Sequence, residues 1–406
     1  MTLQLAWRNI WRNPRRTGAI LAAVAVGVWS MAVLGAFMEG ASRQMLENAI
    51  ATLTGSIQIH REGYPSDPVV DHSILSPESV RNALESILPE GARWTERVRV
   101  DAVASNARHA AGVALVGIVP EREAEVSFIG RAPLTGESLS PEDEHGILVG
   151  RALARDFGTE PGKRLVLMSR DRNGEIASRA FRIRGVYGAE LESTEKRYVF
   201  VNLPAAREML RLGDGVSEFA VLLPGKTEAG PVAEALRSAL PDEFVVRTWR
   251  ELLPLIQVHL EMADRFRDIW YLVVFVAMGF GIVNTLLMVV FERMREFGLL
   301  KALGMTNGRI VRQVLVESFA LLLTGIVVGN LLALPTIALL ARTGIDLTAF
   351  AAGAEFAGMS RVIRPAFRIG EIFRASLVVL VLGLLVSLYP AWKASRFTPV
   401  EAMARQ

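Results

Sequence analysis

The sequence predicts a membrane α-helical protein with four transmembrane helices and a mixed α/β domain on one side of the membrane. Four apolar runs free of Asp, Glu, Lys and Arg are each close to the ~20 residues that a helix needs to cross ~30 Å of hydrocarbon. The runs are Thr17–Met38, Ile269–Phe291, Ser318–Ala341 and Ala375–Trp392. The polar segment 40–268 between the first two runs is long enough to fold as a separate domain.

The composition narrows the classes of function. With 45 basic and 42 acidic residues the net charge is only +3, so nucleic acid is not an expected partner. The chain has no cysteine, which excludes disulfides, thiolate metal sites and a cysteine nucleophile. The strongest polar groups in the apolar runs are Asn284 and Asn330, so these runs hold no ionisable group to bind a coupling ion. The energy for any transport is therefore expected from another source.

Basic residues predict the orientation of the chain. Arginines precede the first run, and other basic residues follow the second and fourth runs, so the positive-inside rule places both termini in the cytoplasm and segment 40–268 outside it. These residues are Arg8, Arg12, Arg15, Arg16, Arg293, Arg295, Lys301, Arg309, Arg312, Lys393, Arg396 and Arg405. One loop, between the third and fourth runs, opposes this orientation with Arg342, Arg361, Arg364, Arg368 and Arg374.

The first residues are predicted to lie on the membrane surface. Leu3, Trp7 and Trp11 recur at near-helical spacing beside arginines, which is typical of an interfacial helix. Residues 1–16 are therefore predicted to form a cytoplasmic elbow helix before a first span over 17–39. A first span with an irregular start is the alternative.

Segment 40–268 has the pattern of a mixed α/β domain. Short β-branched and aromatic runs bounded by turn residues predict strands, and periodic segments at 77–88 and 232–240 predict helices. The predicted strands are Ser56–His60, Arg97–Val103, Val113–Val119, Leu165–Ser169, Phe181–Tyr187, Tyr198–Asn202, Phe219–Leu223 and Phe244–Arg247. The turn Asp171-Arg172-Asn173-Gly174 predicts a hairpin between two of them. From Trp249 the chain is predicted to be helical into the second span, as a rigid stalk.

Three patterns suggest enzymatic or metal chemistry, and none fits its surroundings. Segment 220–227 satisfies a relaxed phosphate-loop pattern, but its first half continues a strand and leaves too little loop to surround a phosphate. Ser193 and Lys196 match Ser-x-x-Lys without the companion motifs of acyl-transfer enzymes. The five histidines have no metal-ligand spacing. We therefore predict no catalytic residue, no metal site and no cofactor in this chain.

Small residues in two spans predict close helix packing. The third run contains Gly325 and Gly329 four residues apart, and the second contains Gly279 and Gly281. Glycine lets two helix backbones approach closely in a bilayer.

The loop after the second run combines charges with a short apolar stripe. Its residues are Glu292, Arg293, Met294, Arg295, Glu296, Phe297, Gly298, Leu299, Leu300, Lys301, Ala302, Leu303, Gly304 and Met305. This pattern predicts a compact amphipathic helix at 292–304 with Gly304 as its C-cap. Such a helix can dock into a groove of a cytoplasmic partner, its apolar ridge giving affinity and its charges orientation. A simple turn on the membrane surface is the alternative.

At this loop the chain closely resembles the FtsX/MacB/LolC–LolE family of ABC transporter permeases. The family motif E-R-x-R-E-[FI]-G-x-[LM]-[KR]-A-L-G is matched by Glu292, Arg293, Arg295, Glu296, Gly298, Lys301, Ala302, Leu303 and Gly304. The ending from Tyr389 to Ala402 resembles the family's terminus, and the opening Ala6-Trp7-Arg8-Asn9-Ile10 is similar to the family's start. The resemblance implies that the loop is the coupling helix that contacts the ATPase.

The resemblance also implies an architecture and partners. It implies a MacB-like periplasmic core domain over 40–262, with porter-like and sabre-like subdomains, and an FtsX-like permease domain over 263–406. A separate cytoplasmic ABC ATPase dimer would bind ATP and Mg²⁺, and a second permease copy or a paralogue would complete the complex. Members act as mechanotransmitters in the bacterial inner membrane.

Three functions within the family stay open. The large outer segment and the absence of ATPase motifs favour the lipoprotein-releasing LolC/LolE type, which handles membrane lipoprotein or lipid. The alternatives are a MacB-like efflux permease and an FtsX-like scaffold that controls a cell-wall hydrolase. In the first type a hairpin binds a periplasmic chaperone, and the matching turn here is Asp171-Arg172-Asn173-Gly174. An adaptor would take the chaperone's place in efflux.

Overall fold

A computed structural model describes residues 14–225, 227–347 and 362–397. These residues form two compact units, each with its own core. The membrane unit comprises residues 14–43, 260–347 and 362–397, and the α/β unit comprises residues 44–225 and 227–259. Residues 1–13 of the elbow helix predicted over 1–16, and the terminal motif beyond Phe397, lie outside the described residues, whereas residues 14–16 belong to the first span helix.

The helices supply most of the membrane unit's core and also pack against the sheet of the α/β unit. In chain order they are α1 (Pro14–Ala49), α2 (Glu78–Ile87), α3 (Pro120–Val126), α4 (Arg151–Asp156), α5 (Glu192–Arg197), α6 (Leu203–Leu210), α7 (Ala229–Ala239), α8 (Trp249–Leu252), α9 (Pro254–Glu292), α10 (Met294–Ala302), α11 (Asn307–Thr343) and α12 (Ile369–Ser395). A π-helical turn, Ile50–Thr54, follows α1.

The strands lie mainly in the α/β unit. In chain order they are β1 (Ile57–Arg61), β2 (Arg93–Ser105), β3 (Ala110–Ile118), β4 (Leu134–Gly136), β5 (Gly146–Gly150), β6 (Arg164–Arg170), β7 (Ile176–Tyr187), β8 (Tyr198–Asn202), β9 (Glu218–Leu222), β10 (Phe244–Thr248), β11 (Ile345–Asp346) and β12 (Val362–Ile363). The last two form a small separate pair.

Four helices of the membrane unit confirm the predicted spans. The four apolar runs lie within α1, α9, α11 and α12, each long and apolar enough to cross a bilayer. One cluster joins all four helices and includes Val24, Tyr271, Leu322 and Val379. Large apolar side chains on the outer faces, such as Phe280, are exposed, as expected where helices meet lipid.

Arg368, just before α12, and Arg374, near its start, connect three helices. The Arg368 guanidinium pairs with Glu39 of α1 at 3.2 Å, and Arg374 pairs with Asp268 of α9 at 2.7 Å. The amide of Ala366 donates to the Ala36 carbonyl at 2.9 Å. Two of the arginines that oppose the predicted orientation therefore have acidic partners within this unit. Arg361 lies outside the described residues.

The α/β unit is one ten-stranded sheet with two lobes, in the strand order β10-β1-β9-β2-β3-β8-β5-β7-β4, and β6 pairs with both β2 and β7. The long strand β2 belongs to both lobes. Its first residues, to Arg97, pair with β9, and from Val98 onward it pairs with β3. Lobe A contains β10, β1 and β9, with α2 and α7 packed through Leu84 and Leu236. Lobe B contains the remaining strands around a second core. The mixed α/β prediction is confirmed.

One local prediction is corrected, and one buried strand is added to those predicted. The helix expected from Trp249 is interrupted, because Leu253 has φ −122° and ψ 59°. A residue before proline is disfavoured in helical conformation, so the long helix starts only at Pro254. Strand β5 was not predicted, because all five of its residues are buried and the run therefore lacks alternation.

Candidate functional site

Helix α10 is a short, separately bounded helix in the loop after the second span. Helix α9 ends at Glu292, and Arg293, with ψ 13°, breaks the path of the chain. At the other end the Gly304 amide donates to the Lys301 carbonyl and the Met305 amide to the Leu300 carbonyl, both at 2.9 Å. This is a Schellman motif, and Gly304 has the positive φ of 91° that it requires. The helix is thus shorter than the predicted 292–304.

One face of α10 is packed onto the membrane unit. Phe297 is fully buried in a cluster with Val290, Ile310 and Ala391, from α9, α11 and α12. Met294 and Gly298 are buried on the same face. Burying a phenylalanine contributes about 2–3 kcal/mol, so this contact alone holds the helix firmly.

An ion pair fixes the start of α10 to the third span. The Arg293 guanidinium donates to Glu317 of α11 at 2.7 Å and to Glu296 at 3.0 Å. Burial by itself would lower the pKa of Arg293, but the Glu317 and Glu296 charges outweigh burial and raise it. Arg293 therefore stays charged, and Glu296 pairs with it within the chain.

The end of α10 is fixed to the fourth span. The Lys301 ammonium donates to the Ser395 carbonyl at 2.6 Å and to the Phe397 carbonyl at 3.0 Å. The Ser395 carbonyl ends α12 and the Phe397 carbonyl lies just beyond it, where backbone acceptors have no partner within the helix and attract a cation. Helix α10 is therefore anchored at one end to α11 and at the other to α12.

The opposite face of α10 is exposed and mostly apolar. We call Arg295, Leu299, Ala302 and Leu303 the loop ridge. They occupy adjacent positions around the helix, and Leu299 and Leu303 are 62% and 77% exposed. The predicted coupling set is thus divided: Arg293, Glu296, Gly298 and Lys301 face the bundle, whereas Arg295, Ala302, Leu303 and Gly304 are exposed, as is Glu292 at the end of α9. Leu299 was not in the predicted set, although its i, i+4 spacing with Leu303 marks it.

The predicted packing glycines occupy different environments. A Cβ added at Gly329 would lie 2.7 Å from the Ala25 carbonyl oxygen, and one at Gly325 would lie 2.7 Å from Val24. These two glycines therefore allow α11 to approach α1 within one chain. A Cβ at Gly279 would make only ordinary contacts, and one at Gly281 would meet none of the described residues within 4 Å.

The predicted hairpin is formed by β6 and β7, and hydrogen bonds and an ion pair attach its turn to the end of α6. The Asp171 carboxylate is buried, accepts from the Asn173 and Glu175 amides, and pairs with Arg211 at 3.3 Å. The Arg172 amide donates to the Leu210 carbonyl at the end of α6 at 3.2 Å. Asp171 is thus a structural residue of the turn. Arg172, Asn173 and Gly174 are exposed, as is the adjacent Ile176, at 82%.

The rejected enzymatic patterns lie in ordinary secondary structure. Strand β9 continues through Leu222, as expected for segment 220–227, whereas Lys226 lies outside the described residues. Ser193 and Lys196 lie in α5, and the Lys196 ammonium pairs with Asp156 and Glu192. Within the part of the chain that the structure describes, no group of three or more His, Asp or Glu side chains could hold a metal ion.

Comparison with known proteins gives matches along almost the whole chain. Residues 17–239, more than half of the chain, match the MacB-like periplasmic core domain, and residues 269–399 match the FtsX-like permease C-terminal domain. The lipoprotein-releasing system transmembrane protein LolC of Xylella fastidiosa is 23% identical, over 97% of this chain and 96% of that protein.

Other matches cover only part of the relative, or only part of this chain. The pyoverdine export ATP-binding/permease protein PvdT of Pseudomonas syringae is 26% identical, over 100% of this chain and 59% of that protein. The periplasmic region of MacB from Actinobacillus actinomycetemcomitans is similar to 52% of this chain at 14% identity and a TM-score of 0.36, with 97% of that structure covered. The two domain matches, in this order and with four apolar helices, show that the chain belongs to the FtsX/MacB/LolC–LolE family of ABC transporter permeases.

Proposed function

We propose that this chain is a permease subunit that couples ATP hydrolysis on a separate cytoplasmic ABC ATPase dimer to movement of the α/β unit outside the inner membrane. The observation that carries the proposal is the loop ridge. A helix anchored on two sides by Arg293 and Lys301 presents two exposed leucines beside an arginine. Exposed leucines on a rigid helix suit a groove in a partner, and the arginine would fix orientation. ATP and Mg²⁺ would bind to the ATPase.

The docking surface is tested by a charge placed on the ridge. Leu303→Asp puts a carboxylate into a contact that excludes water, and we expect at least a tenfold weaker association with the ATPase, measured by titration in detergent. Thr306→Asp is the matched control, because Thr306 is exposed, lies just beyond the ridge and tolerates aspartate as the N-cap of α11. Equal binding by the wild type and Leu303→Asp would show that the ATPase docks elsewhere.

Orientation follows from the same proposal. We expect a cysteine at Asn173 to react with a membrane-impermeant maleimide in cells with a permeabilised outer membrane, and a cysteine at Thr306 to remain unlabelled. Asn173 is preferable to the buried Asp171 for this test. The chain has no native cysteine, so the background is clean. Labelling of the cysteine at position 306 would show that the orientation is the reverse of the one proposed.

Release of lipoproteins from the inner membrane is the substrate-level proposal. It is supported by the similarity to LolC, which extends over almost the full length of both proteins. We expect lipoproteins to copurify with the chain and its ATPase and to leave proteoliposomes when ATP is added. An exposed hairpin surface, Arg172, Asn173 and Ile176, is then the candidate contact for a periplasmic chaperone.

Efflux is the second candidate function. It is supported by the similarity to PvdT, at 26% identity over the whole of this chain. In that case an adaptor protein should copurify, ATP should drive export of a small molecule, and lipoproteins should stay in the vesicles. Mass spectrometry of the proteins that copurify with the chain and its ATPase therefore separates the two candidates.

A further inference from the structure

A fully buried ion cluster lies where β2 passes from lobe A to lobe B. Its centre is Arg97, the last β2 residue paired with β9, and the next residue, Val98, is the first paired with β3. The side chains of Arg97, Glu123 and Glu218 are all 0% exposed. Glu218 starts β9 in lobe A, and Glu123 comes from α3, which follows β3. The cluster therefore joins β9 and α3 at the point where β2 enters lobe B.

Arg97 uses nearly all of its donors in this cluster. Its Nε and Nη2 donate to the two oxygens of Glu123, both at 2.8 Å, and its Nη1 donates to Glu218 at 3.1 Å. Arg99 pairs with the other Glu218 oxygen at 2.9 Å. The Arg97 guanidinium and the Arg99 guanidinium, which is 25% exposed, thus face two buried carboxylates, so the charges of these four groups balance. Such pairs are stable inside a protein only when this balance is complete.

The pKa values of the cluster follow from this balance. Burial would lower the pKa of Arg97, but the Glu123 and Glu218 charges outweigh burial and raise it. Burial would raise the pKa of Glu218, but the Arg99 and Arg97 charges lower it. The neighbouring His60 has its pKa lowered to about 4, mainly by burial. The arginines and Glu218 are therefore charged near neutral pH, and His60 is neutral.

Arg97 also holds the segment that leads from α1 into the sheet. We call residues 50–57 the junction segment. Arg97 Nη1 donates to the Leu53 carbonyl, and the side-chain amide of Gln58 (Nε2) donates to the same carbonyl at 2.9 Å. Leu53 has a φ of +65°, which costs a leucine about 1 kcal/mol or more, so the surrounding contacts must hold it there. Its side chain is buried in lobe B.

The segment that leaves the α/β unit is bound to the junction segment. The Trp249 amide, at the start of α8, donates to the Ser56 carbonyl at 3.0 Å, and Ile57 lies opposite Thr248 in the β1–β10 pair. The chain therefore passes into and out of this unit along two hydrogen-bonded neighbours. Arg97 fixes the first of them to both lobes.

We propose that Arg97 is a positioning residue that locks the junction segment to both lobes, so that movement of α1 is passed to the α/β unit as a whole. The proposal rests on the mechanical function proposed above. It assigns no contact with ATP or cargo to Arg97. Loss of the lock should therefore separate ATP hydrolysis from cargo release, whereas a general loss of folding would lower both.

The test is Arg97→Lys in the full complex with its ATPase. Lysine keeps the charge but lacks the planar guanidinium group with several donors. It therefore cannot make a bidentate pair with Glu123 and also reach Glu218 and Leu53. We expect hydrogen exchange of the Gly55, Ser56 and Trp249 amides to become at least tenfold faster. We expect ATP hydrolysis within twofold of the wild type, and lipoprotein release per ATP at least fivefold lower.

The matched control is Arg93→Lys. Arg93 lies on the same strand and pairs with Glu125 of the same helix α3 at 2.8 Å, but both side chains are more than half exposed. It should leave both exchange and release unchanged. Gln58→Met is a second variant, which removes one donor to Leu53 and the hydrogen bond to His60 but no bond of the ion cluster itself. A smaller change in the same direction is expected from it even if Arg97→Lys fails to fold.

The outcomes separate this inference from the function that it rests on. Unchanged exchange in the junction segment, or faster exchange with normal release per ATP, would overturn the role of Arg97. Equal effects from Arg93→Lys would overturn it as well. Failure of the proposed function would appear instead in the wild-type complex, as absence of ATP-driven lipoprotein release, while the exchange measurement would still report on the lock.

Discussion

The anchors of α10 and the Arg97 cluster use the same chemistry at different depths. Arg293 and Glu317 are 16% and 11% exposed, and Lys301 binds backbone carbonyls at a helix end. The Arg97 cluster is completely buried and joins strands, a helix and a strained turn. When a partly exposed pair opens, water solvates its two charges. When a buried pair opens, each charge is left without either water or an opposite charge. The α10 anchors can therefore adjust, and the Arg97 cluster must act as a fixed joint.

The largest expected effect comes from removing the centre of the buried cluster. Arg97→Met leaves Glu123 buried without a cation and Glu218 with Arg99 alone, and we expect a loss of about 3–5 kcal/mol in the unfolding free energy of the α/β unit. Hydrogen exchange of the slowest β2 amides measures this free energy. Glu317→Gln, which breaks the corresponding pair at α10, should cost clearly less. Equal losses would remove the distinction between the two regions.

The next effect is a dependence on pH confined to the α/β unit. Because the pKa of His60 is about 4 when folded and 6.5 in its ordinary state, the unfolded chain binds more protons between these values, and stability falls as pH decreases from 6.5 to 4. The difference corresponds to roughly 3 kcal/mol. His60→Gln should remove this part of the pH dependence of urea unfolding. His109→Gln, at an exposed histidine, should retain it.

Below that window the acidic partner continues the same trend. The pKa of Glu218 is lowered in the folded unit, so its stabilising charge is present above the ordinary glutamate pKa and is lost as pH falls further. A His60→Gln protein should therefore still lose stability at lower pH. A curve that is flat down to pH 3 would contradict the charge balance assigned to the cluster.

A smaller effect is expected from the glycine packing in the membrane unit. Leucine at Gly329 would collide with Val28 and the Ala25 carbonyl of α1, and overpacking of this kind costs about 1–3 kcal/mol. We expect Gly329→Leu to melt at a lower temperature in detergent. Gly281→Leu is the control, because a Cβ there meets none of the described residues within 4 Å. If both variants melted like the wild type, α1 and α11 would not be held by this contact.

The smallest effect is expected at the Lys301 anchor. Lys301→Ala removes two bonds to carbonyls near the end of α12 but leaves the loop ridge intact. We expect ATPase affinity to fall about fivefold, which corresponds to about 1 kcal/mol. An affinity loss as large as that of Leu303→Asp would mean that Lys301 itself contacts the ATPase.

The sequence was sufficient to predict the elements whose pattern is local. The four spans follow from uninterrupted apolar runs, and the hairpin turn and Gly304 follow from residues that suit those conformations. It could not predict which side of α10 faces the bundle. The family motif joins residues of both faces, and Glu296 and Arg295 look equally suited to a partner until the Arg293–Glu296 pair is seen.

The buried cluster had no signal in the sequence. Arg97, Glu123 and Glu218 are far apart along the chain, and each occupies a position that reads as a solvent-facing residue of a strand or a short helix. The pairing of β2 with β9 places Glu218 opposite Arg97, and the position of α3 brings Glu123 to the same arginine. The break at Leu253 could have been predicted from Pro254, which disfavours helical backbone in the residue before it.

The most direct test of the mechanical account is the number of lipoproteins released per ATP hydrolysed. A Gly-Gly insertion after Met262 interrupts α9 without touching α10 or the Arg97 cluster. We expect the complex that carries it to hydrolyse ATP at a rate within twofold of the wild type and to release at least fivefold fewer lipoproteins per ATP. A wild-type ratio in the insertion variant would contradict transmission through α9, because movement would then reach the α/β unit without this helix, through α1.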